Sequence, residues 1–155
     1  MVTENFAAKA FEKHSDMVYR LAFARVKNKS DADDILQEVF LRYLKSGQAD
    51  SEEHEKALLI RITINCTKSL FKRTSRFKTE ELYEAIPAPE NTSFRTLEAV
   101  MKLPVKYRTA IHLHYFCGYG VEEIADITSQ KASTVKSHLH RARKLLKTEI
   151  EGVEF

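Results

Sequence analysis

VEEIADITSQKASTVKSHLHRARKLLK, residues 121–147, holds two short apolar patterns separated by a polar turn. In the second, Ala132, Val135, Leu139, Ala142 and Leu146 step by three or four, which places them on one side of a helix. Ile124, Ala125 and Ile127 give the preceding segment a buried side of its own, and Ala125 is small where a crossing helix must approach closely. Two helices meeting across a turn at 129–132 form a helix-turn-helix, whose second helix enters the major groove while the first crosses the backbone. Residues 129–147 carry six Lys/Arg, two His and no acidic residue, so this second helix has a strongly cationic exterior. Ser133, Thr134, Lys136, Ser137 and Arg141 lie on that outer side, where hydroxyls and cations contact phosphates and base edges. A plain helical hairpin in a bundle core is the bland alternative, and it has no need of six cations.

Outward from this stretch, charge divides the chain. Residues 1–55 hold 8 basic and 11 acidic residues, residues 56–78 hold 7 and none, and residues 79–100 hold 1 and 5. Two basic blocks separated by an acidic connector point to contact with a polyanion at two places. At 155 residues the chain accommodates one domain or two small ones, and 43% hydrophobic content without a low-complexity run is enough to fold them. No apolar run approaches a membrane span and no signal-peptide pattern opens the chain. Cys66 and Cys117 stand far apart without a CxxC partner, as buried reduced thiols do, and a cytoplasmic location is expected.

Four glycines, three prolines and little period-2 alternation predict an all-α chain of two small helical domains joined by a flexible linker. The first domain is expected at 1–78, the linker at 79–92 around Pro87 and Pro89, and the second domain at 93–155. Extended, the linker and its flank to residue 96 span roughly 60 Å. Helices are expected over 4–27, from an N-cap at Ser30 to about Lys45, and from about Lys56 to Arg73. GQADSEEHE, residues 47–55, is expected to form a polar loop. In the second domain, a helix ends near Leu103–Pro104, another runs to about Cys117, and Gly118 and Gly120 break it.

Ala32, Ile35, Leu36, Val39, Phe40, Tyr43 and Leu44 form the core face of the helix at 31–45. Asp34, Glu38, Leu41 and Lys45 form a second stripe, with Gln37 beside it. An apolar Leu41 amid charges hints at a protein-binding surface, although a solvated face is also consistent with the pattern. In KALLIRITINCTKSLFKR, residues 56–73, Leu59, Ile62, Cys66 and Leu70 face a core while Lys56, Arg61, Lys68, Lys72 and Arg73 project outward. Asn65 is a poor helix former whose amide can hydrogen-bond a base in two directions, or else is a satisfied structural residue.

Catalytic and metal chemistry find no support. His112 and His114, like His138 and His140, sit two apart and point to different sides of a helix. Acids at Asp31, Asp33 and Asp34 are expected at a helix start on dipole grounds. No nucleophile–base pair or glycine-rich phosphate loop occurs, so no enzyme activity, cofactor, metal or small-molecule substrate is expected.

DADDILQEVFLRYL (31–44) resembles the core-binding helix of bacterial RNA polymerase sigma factors. KALLIRITINCTKSLFKR is similar to the helix that follows it there, and residues 103–146 are similar to their promoter-reading C-terminal domain. The two-domain size resembles the extracytoplasmic-function (ECF) subgroup. The resemblance implies that Asp34, Gln37 and Glu38, with Leu41 and Leu44, bind the clamp helices of the largest subunit of core RNA polymerase. It implies that Asn65 contacts a flipped base of the −10 promoter element, while Lys56, Arg61, Lys68, Lys72 and Arg73 hold the opened DNA. Ser133, Thr134, Lys136, Ser137, His138, Arg141 and Arg143 would read the −35 element of promoter DNA. An anti-sigma factor is an implied partner.

Three departures accompany the resemblance. Leu58 stands where many relatives have Trp. The loop at 47–55 is acidic and lacks the aromatic residue that some relatives place against the flipped base. Ser129 occupies a turn position where glycine is common, and predicts a slightly different turn. The rival reading is a self-sufficient dimeric helix-turn-helix regulator on a palindromic operator; a polymerase-binding adaptor without promoter contacts is disfavoured by the basic block at 56–78.

Overall fold

In the computed structural model, residues 2–73 and 94–151 are described, and all of their regular structure is helical. The linker expected at 79–92 and the domain boundary at 78 lie outside the described residues. The chain divides into two compact units.

The first unit packs α1 (Val2–Val26), α2 (Lys29–Ser46) and α3 (Glu52–Arg73) against one another. Its centre is built from Val18, Leu21, Ala22 and Phe23 of α1, Ala32, Val39 and Tyr43 of α2, and Leu59 and Ile60 of α3, all 1% exposed or less. Two edge-to-face aromatic pairs, Phe6–Tyr43 at 5.2 Å and Phe11–Phe40 at 5.1 Å, close α1 onto α2.

Three local expectations are corrected here. The N-cap of α2 is Asn28, not Ser30: Asn28 is extended, at φ −147° and ψ 122°, and its Oδ1 accepts the Asp31 N–H at 2.8 Å. Ser30 therefore lies within the first turn. The third helix starts at Glu52 rather than near Lys56, because the Ser51 hydroxyl caps it by accepting the His54 N–H at 3.1 Å. That leaves a loop of Gly47–Ser51 only.

The buried face of α3 is also rotated from the apolar spacing. Thr63, Ile64 and Thr67 are buried, whereas Ile62 and Leu70 are only half-buried. Threonine is tolerated inside because each hydroxyl is satisfied within the helix, Thr63 donating to Leu59 O and Thr67 to Ile64 O, both at 2.7 Å. Thr67 Oγ1 in turn accepts from Nε of Arg25 at 2.6 Å, a guanidinium 8% exposed that lies 5.7 Å from the centroid of the Phe71 ring. Burial lowers the Arg25 pKa to about 10, so it stays cationic at neutral pH.

The second unit contains α4 (Phe94–Met101), α5 (Val105–Ile111), α6 (Val121–Thr128) and α7 (Ala132–Glu151). Where one helix to Cys117 was expected, α5 passes into a π-helical turn at His112–Phe116, and the chain reverses through Gly118 at φ 84°. Val135, Leu139 and Ala142 of α7 are 1% exposed or less and pack this helix onto the rest of the unit, with Ile124 and Ala125 of α6 buried opposite. Burying a side chain such as Leu139 contributes about 2 kcal/mol.

The junction of α6 and α7 is the left-handed turn that glycine favours, contrary to the different turn that serine suggested. Ser129 itself adopts φ 59° and ψ 43°. Its N–H donates to Asp126 O at 3.4 Å and that of Gln130 to Ala125 O at 2.9 Å, a Schellman closure of α6.

Candidate nucleic-acid and polymerase interfaces

On α7, Ser133, Lys136, Ser137, Arg141 and Arg143 are exposed and Thr134 is half-exposed, on the side opposite the buried Val135–Leu139–Ala142 stripe. An outward row of hydroxyls and cations on a rigid helix can place donors against phosphates and guanine edges together. His138 differs from this set. It is half-buried, 5.5 Å edge-to-face from the Tyr107 ring, and burial together with Lys106 and Arg141 lowers its pKa. That environment favours the neutral imidazole over the charged one. Arg143 is held by a partner that the sequence reading did not find: its Nε donates to the Tyr115 hydroxyl at 2.9 Å, and its guanidinium lies 5.7 Å from the centroid of that ring. Tyr115 sits on the π turn and is 54% exposed. Its distance of 28 residues from Arg143 hid the pairing from any local pattern.

On α3, Asn65, Lys68, Lys72 and Arg73 are exposed, while Lys56 and Arg61 are half-buried. On α2, Asp34, Gln37, Glu38 and Leu41 share one exposed face, with Leu41 54% exposed and Leu44 half-buried at its edge.

Between this face and α3 lies a cleft of about 340 Å³, lined by Asp31, Asp34, Glu38, Arg42, Cys66 and Arg73 among others. Within it Arg42 Nε donates to Glu38 Oε2 at 2.8 Å. Burial and the neighbouring Asp34 raise the Asp31 pKa, against the opposing pull of Arg73. Cys66 is buried on the cleft floor, and that burial pushes its thiol pKa up, as expected of an inert thiol.

Comparison with known proteins matches each unit separately. The family model Sigma-70 region 2 covers residues 10–77 and that of Sigma-70, region 4 covers residues 93–146. RNA polymerase sigma factor SigV of Bacillus subtilis is 32% identical over 143 residues, 88% of this chain and 86% of the relative. The chain belongs to the ECF-type RNA polymerase sigma factors. This sigma factor is thus a non-enzymatic protein that directs transcription initiation, with its helix-turn-helix in region 4.

ECF RNA polymerase sigma factor SigE of Mycolicibacterium smegmatis is 34% identical over 148 residues, covering 87% of this chain and 58% of that protein. Among solved structures, the sigma factor RpoE in complex with the anti-sigma factor NepR from Bartonella quintana shares the fold at a TM-score of 0.75. That likeness covers 96% of this chain and 98% of RpoE at 22% identity. CnrH in complex with the cytosolic domain of CnrY gives 0.63 at 20% identity, over 99% and 100% of the two chains. Among the described residues of the sigma factor, no helix is long and apolar enough to cross a membrane.

Proposed function

We propose that this sigma factor divides its work between its two units. Residues 1–78 bind core RNA polymerase and the −10 element, 79–92 connect, and 93–155 bind the −35 element. The observation that carries this reading is the pair of cationic helical faces, on α3 and on α7, each opposite a buried stripe of its own unit. Asp34, Gln37, Glu38, Leu41 and Leu44 take the clamp helices of the largest polymerase subunit, because an acidic face with an exposed leucine matches a basic, partly apolar partner. Asn65 receives a flipped −10 base, and Lys56, Arg61, Lys68, Lys72 and Arg73 hold the opened strand. Strand opening then needs no hydrolysis, since capture of flipped bases offsets an unstacking cost of a few kcal/mol. Ser133, Thr134, Lys136, Ser137, His138, Arg141 and Arg143 read the −35 element.

The sigma factor acts in the cytoplasm, where polymerase and promoter are, and is held there by an anti-sigma factor. Support for that partner comes from the two fold neighbours, RpoE in complex with the anti-sigma factor NepR and CnrH in complex with the cytosolic domain of CnrY.

Transcription in vitro with core polymerase and genomic fragments tests the whole reading. Defined start sites that require both proteins are expected. A gel shift with the promoter so found should be weak for the chain alone and strong once core polymerase is added. Tight, specific binding without polymerase would instead favour a self-sufficient regulator acting as a dimer.

A further inference from the structure

Tyr115 and Arg143 pair at the edge of the helix-turn-helix, and their hydrogen-bonding capacity is only half used. The Tyr115 hydroxyl accepts from Arg143 Nε at 2.9 Å, and among the described residues its own O–H meets no acceptor. That bond occupies Nε alone, so both terminal nitrogens of the guanidinium, with four N–H donors, remain on an exposed side chain. Among the described residues no carboxylate pairs with Arg143, and Tyr115 is itself 54% exposed. One neutral and one cationic donor thus stand side by side at the surface.

The tyrosine is presented by a stiff support. It sits in the π-helical turn His112–Phe116, in which His112 and Leu113 are buried. The Cys117 N–H donates to His112 O at 3.0 Å and the Tyr119 N–H to Leu113 O at 3.1 Å, which closes the chain reversal. His114 Nδ1 lies 2.7 Å from Tyr119 O; a carbonyl only accepts, so Nδ1 carries the proton and donates. The His114 ring in turn meets that of Tyr115 edge-to-face at 4.6 Å. Turns of this kind recur at functional sites, and a donor fixed before its ligand arrives loses little freedom on binding.

The place of the pair along α7 selects its ligand. Lys136, His140 and Arg143 are exposed and spaced by four and three residues, so they form one row along the helix. Base edges are reached by the first turns of a recognition helix. Arg143 lies eleven residues beyond Ala132, where α7 begins, or about 16 Å farther along the axis. The major groove is only about 12 Å wide. A cation that far along the row meets the phosphate strand bordering the groove rather than the bases on its floor.

We propose that Tyr115 and Arg143 together bind one DNA phosphate flanking the −35 element. Arg143 supplies the charge, while Tyr115 fixes the guanidinium and donates its own O–H to the same phosphate. This rests on the assignment of α7 to the −35 element. Within that assignment the pair sets register and affinity, and the choice of bases falls to the first turns of α7.

The test uses the full-length chain with saturating core polymerase on a cognate promoter and on single-base −35 variants, with equilibrium binding measured across a range of salt concentrations. Arg143→Ala is expected to weaken binding by about 10-fold on every promoter and to reduce the slope of log affinity against log salt by about 1. Tyr115→Phe keeps the ring and removes the hydroxyl. It should weaken binding by about 5-fold on every promoter with the slope unchanged. Added to Arg143→Ala, Tyr115→Phe should cost only about 2-fold more, because part of its effect runs through the guanidinium. Arg143→Lys should recover the salt slope but only part of the affinity, since an ammonium lacks the planar fork.

Unchanged binding by Tyr115→Phe would overturn the inference, as would an undiminished salt slope in Arg143→Ala. A changed ratio between cognate and variant promoters in either single variant would make the pair a base reader and overturn it too. Losses that scale with a lowered melting temperature would make the pair merely structural, with the same consequence. Lys136→Ala with Arg141→Ala reports separately on α7: if −35 discrimination survives it, the assignment fails and the inference with it. Lost discrimination in that variant beside normal binding by Tyr115→Phe and Arg143→Ala would refute the inference alone.

Discussion

Ser129→Gly is expected to raise the melting temperature of the second unit. Ser129 occupies φ 59° and ψ 43°, the left-handed region in which a Cβ crowds the following carbonyl at a cost of about 1 kcal/mol. Glycine removes that cost but loses more chain entropy on folding, about 0.5 kcal/mol. Because Ser129 is exposed and its N–H is retained, no other interaction is lost. The net gain is about 0.5 kcal/mol, and a unit of this size responds by about 4–8 °C per kcal/mol, so a rise of about 2–4 °C follows. Ser129→Val puts a β-branched side chain in the same place and should lower the midpoint by about 4 °C or more.

Differential scanning calorimetry of the full chain separates the two units. The transition of the second is identified by adding −35 duplex, which stabilises whatever folded unit binds it. The order Gly, Ser, Val from most to least stable is the expected result. A glycine variant melting at or below wild type, or a valine variant equal to serine, would refute the left-handed turn and the Schellman closure built on it.

Other perturbations separate the proposed interfaces. Lys136→Ala with Arg141→Ala should weaken −35 binding by more than about 30-fold, at about 1–3 kcal/mol for each lost contact, and leave core polymerase affinity intact; gel shifts and a polymerase pull-down measure the two. Asp34→Lys should do the reverse, lowering core affinity about 10-fold through like-charge opposition while the isolated melting profile is unchanged. The first unit should lose stability as pH falls below about 6.5. Burial lowers the His14 pKa despite the attraction of Glu55, so the folded state favours neutral imidazole. That contribution is complete above the unfolded pKa and is lost as pH drops through the folded one. Melting curves from pH 7.5 to 5 should show the decline, and His14→Gln should flatten it.

Much of the helix-turn-helix was legible in residues 121–147, because such a motif is made of local periodicities and a local charge excess. The same holds for the acidic face of α2, where an exposed Leu41 among carboxylates stood out from the core stripe by spacing alone. The cap of α2 was misread because Asn28 and Ser30 are both competent caps, and only the backbone angle at 28 distinguishes them. The buried face of α3 differs from the apolar spacing because two threonines join it. Thr63 and Thr67 are buried by donating to their own helix, so apolar spacing underestimates how far round the core extends.

By itself, then, the sequence determined the all-helical class, the two basic faces and the order of elements. Each depends on neighbours within a few turns, where 3.6-residue periodicity and net charge are decisive. Only the tertiary structure decided what Arg25, Tyr43 and Tyr115 do. Their partners Thr67, Glu55 with Ala49, and Arg143 lie on other turns or other helices, up to 42 residues away. A hydrogen bond across such a separation depends on how helices cross, which is a property of the packed core and of no short stretch of chain. Ser129 shows the same division at a single position: its identity was read from the chain, but the left-handed turn it accepts is imposed by α6 and α7 packing on either side.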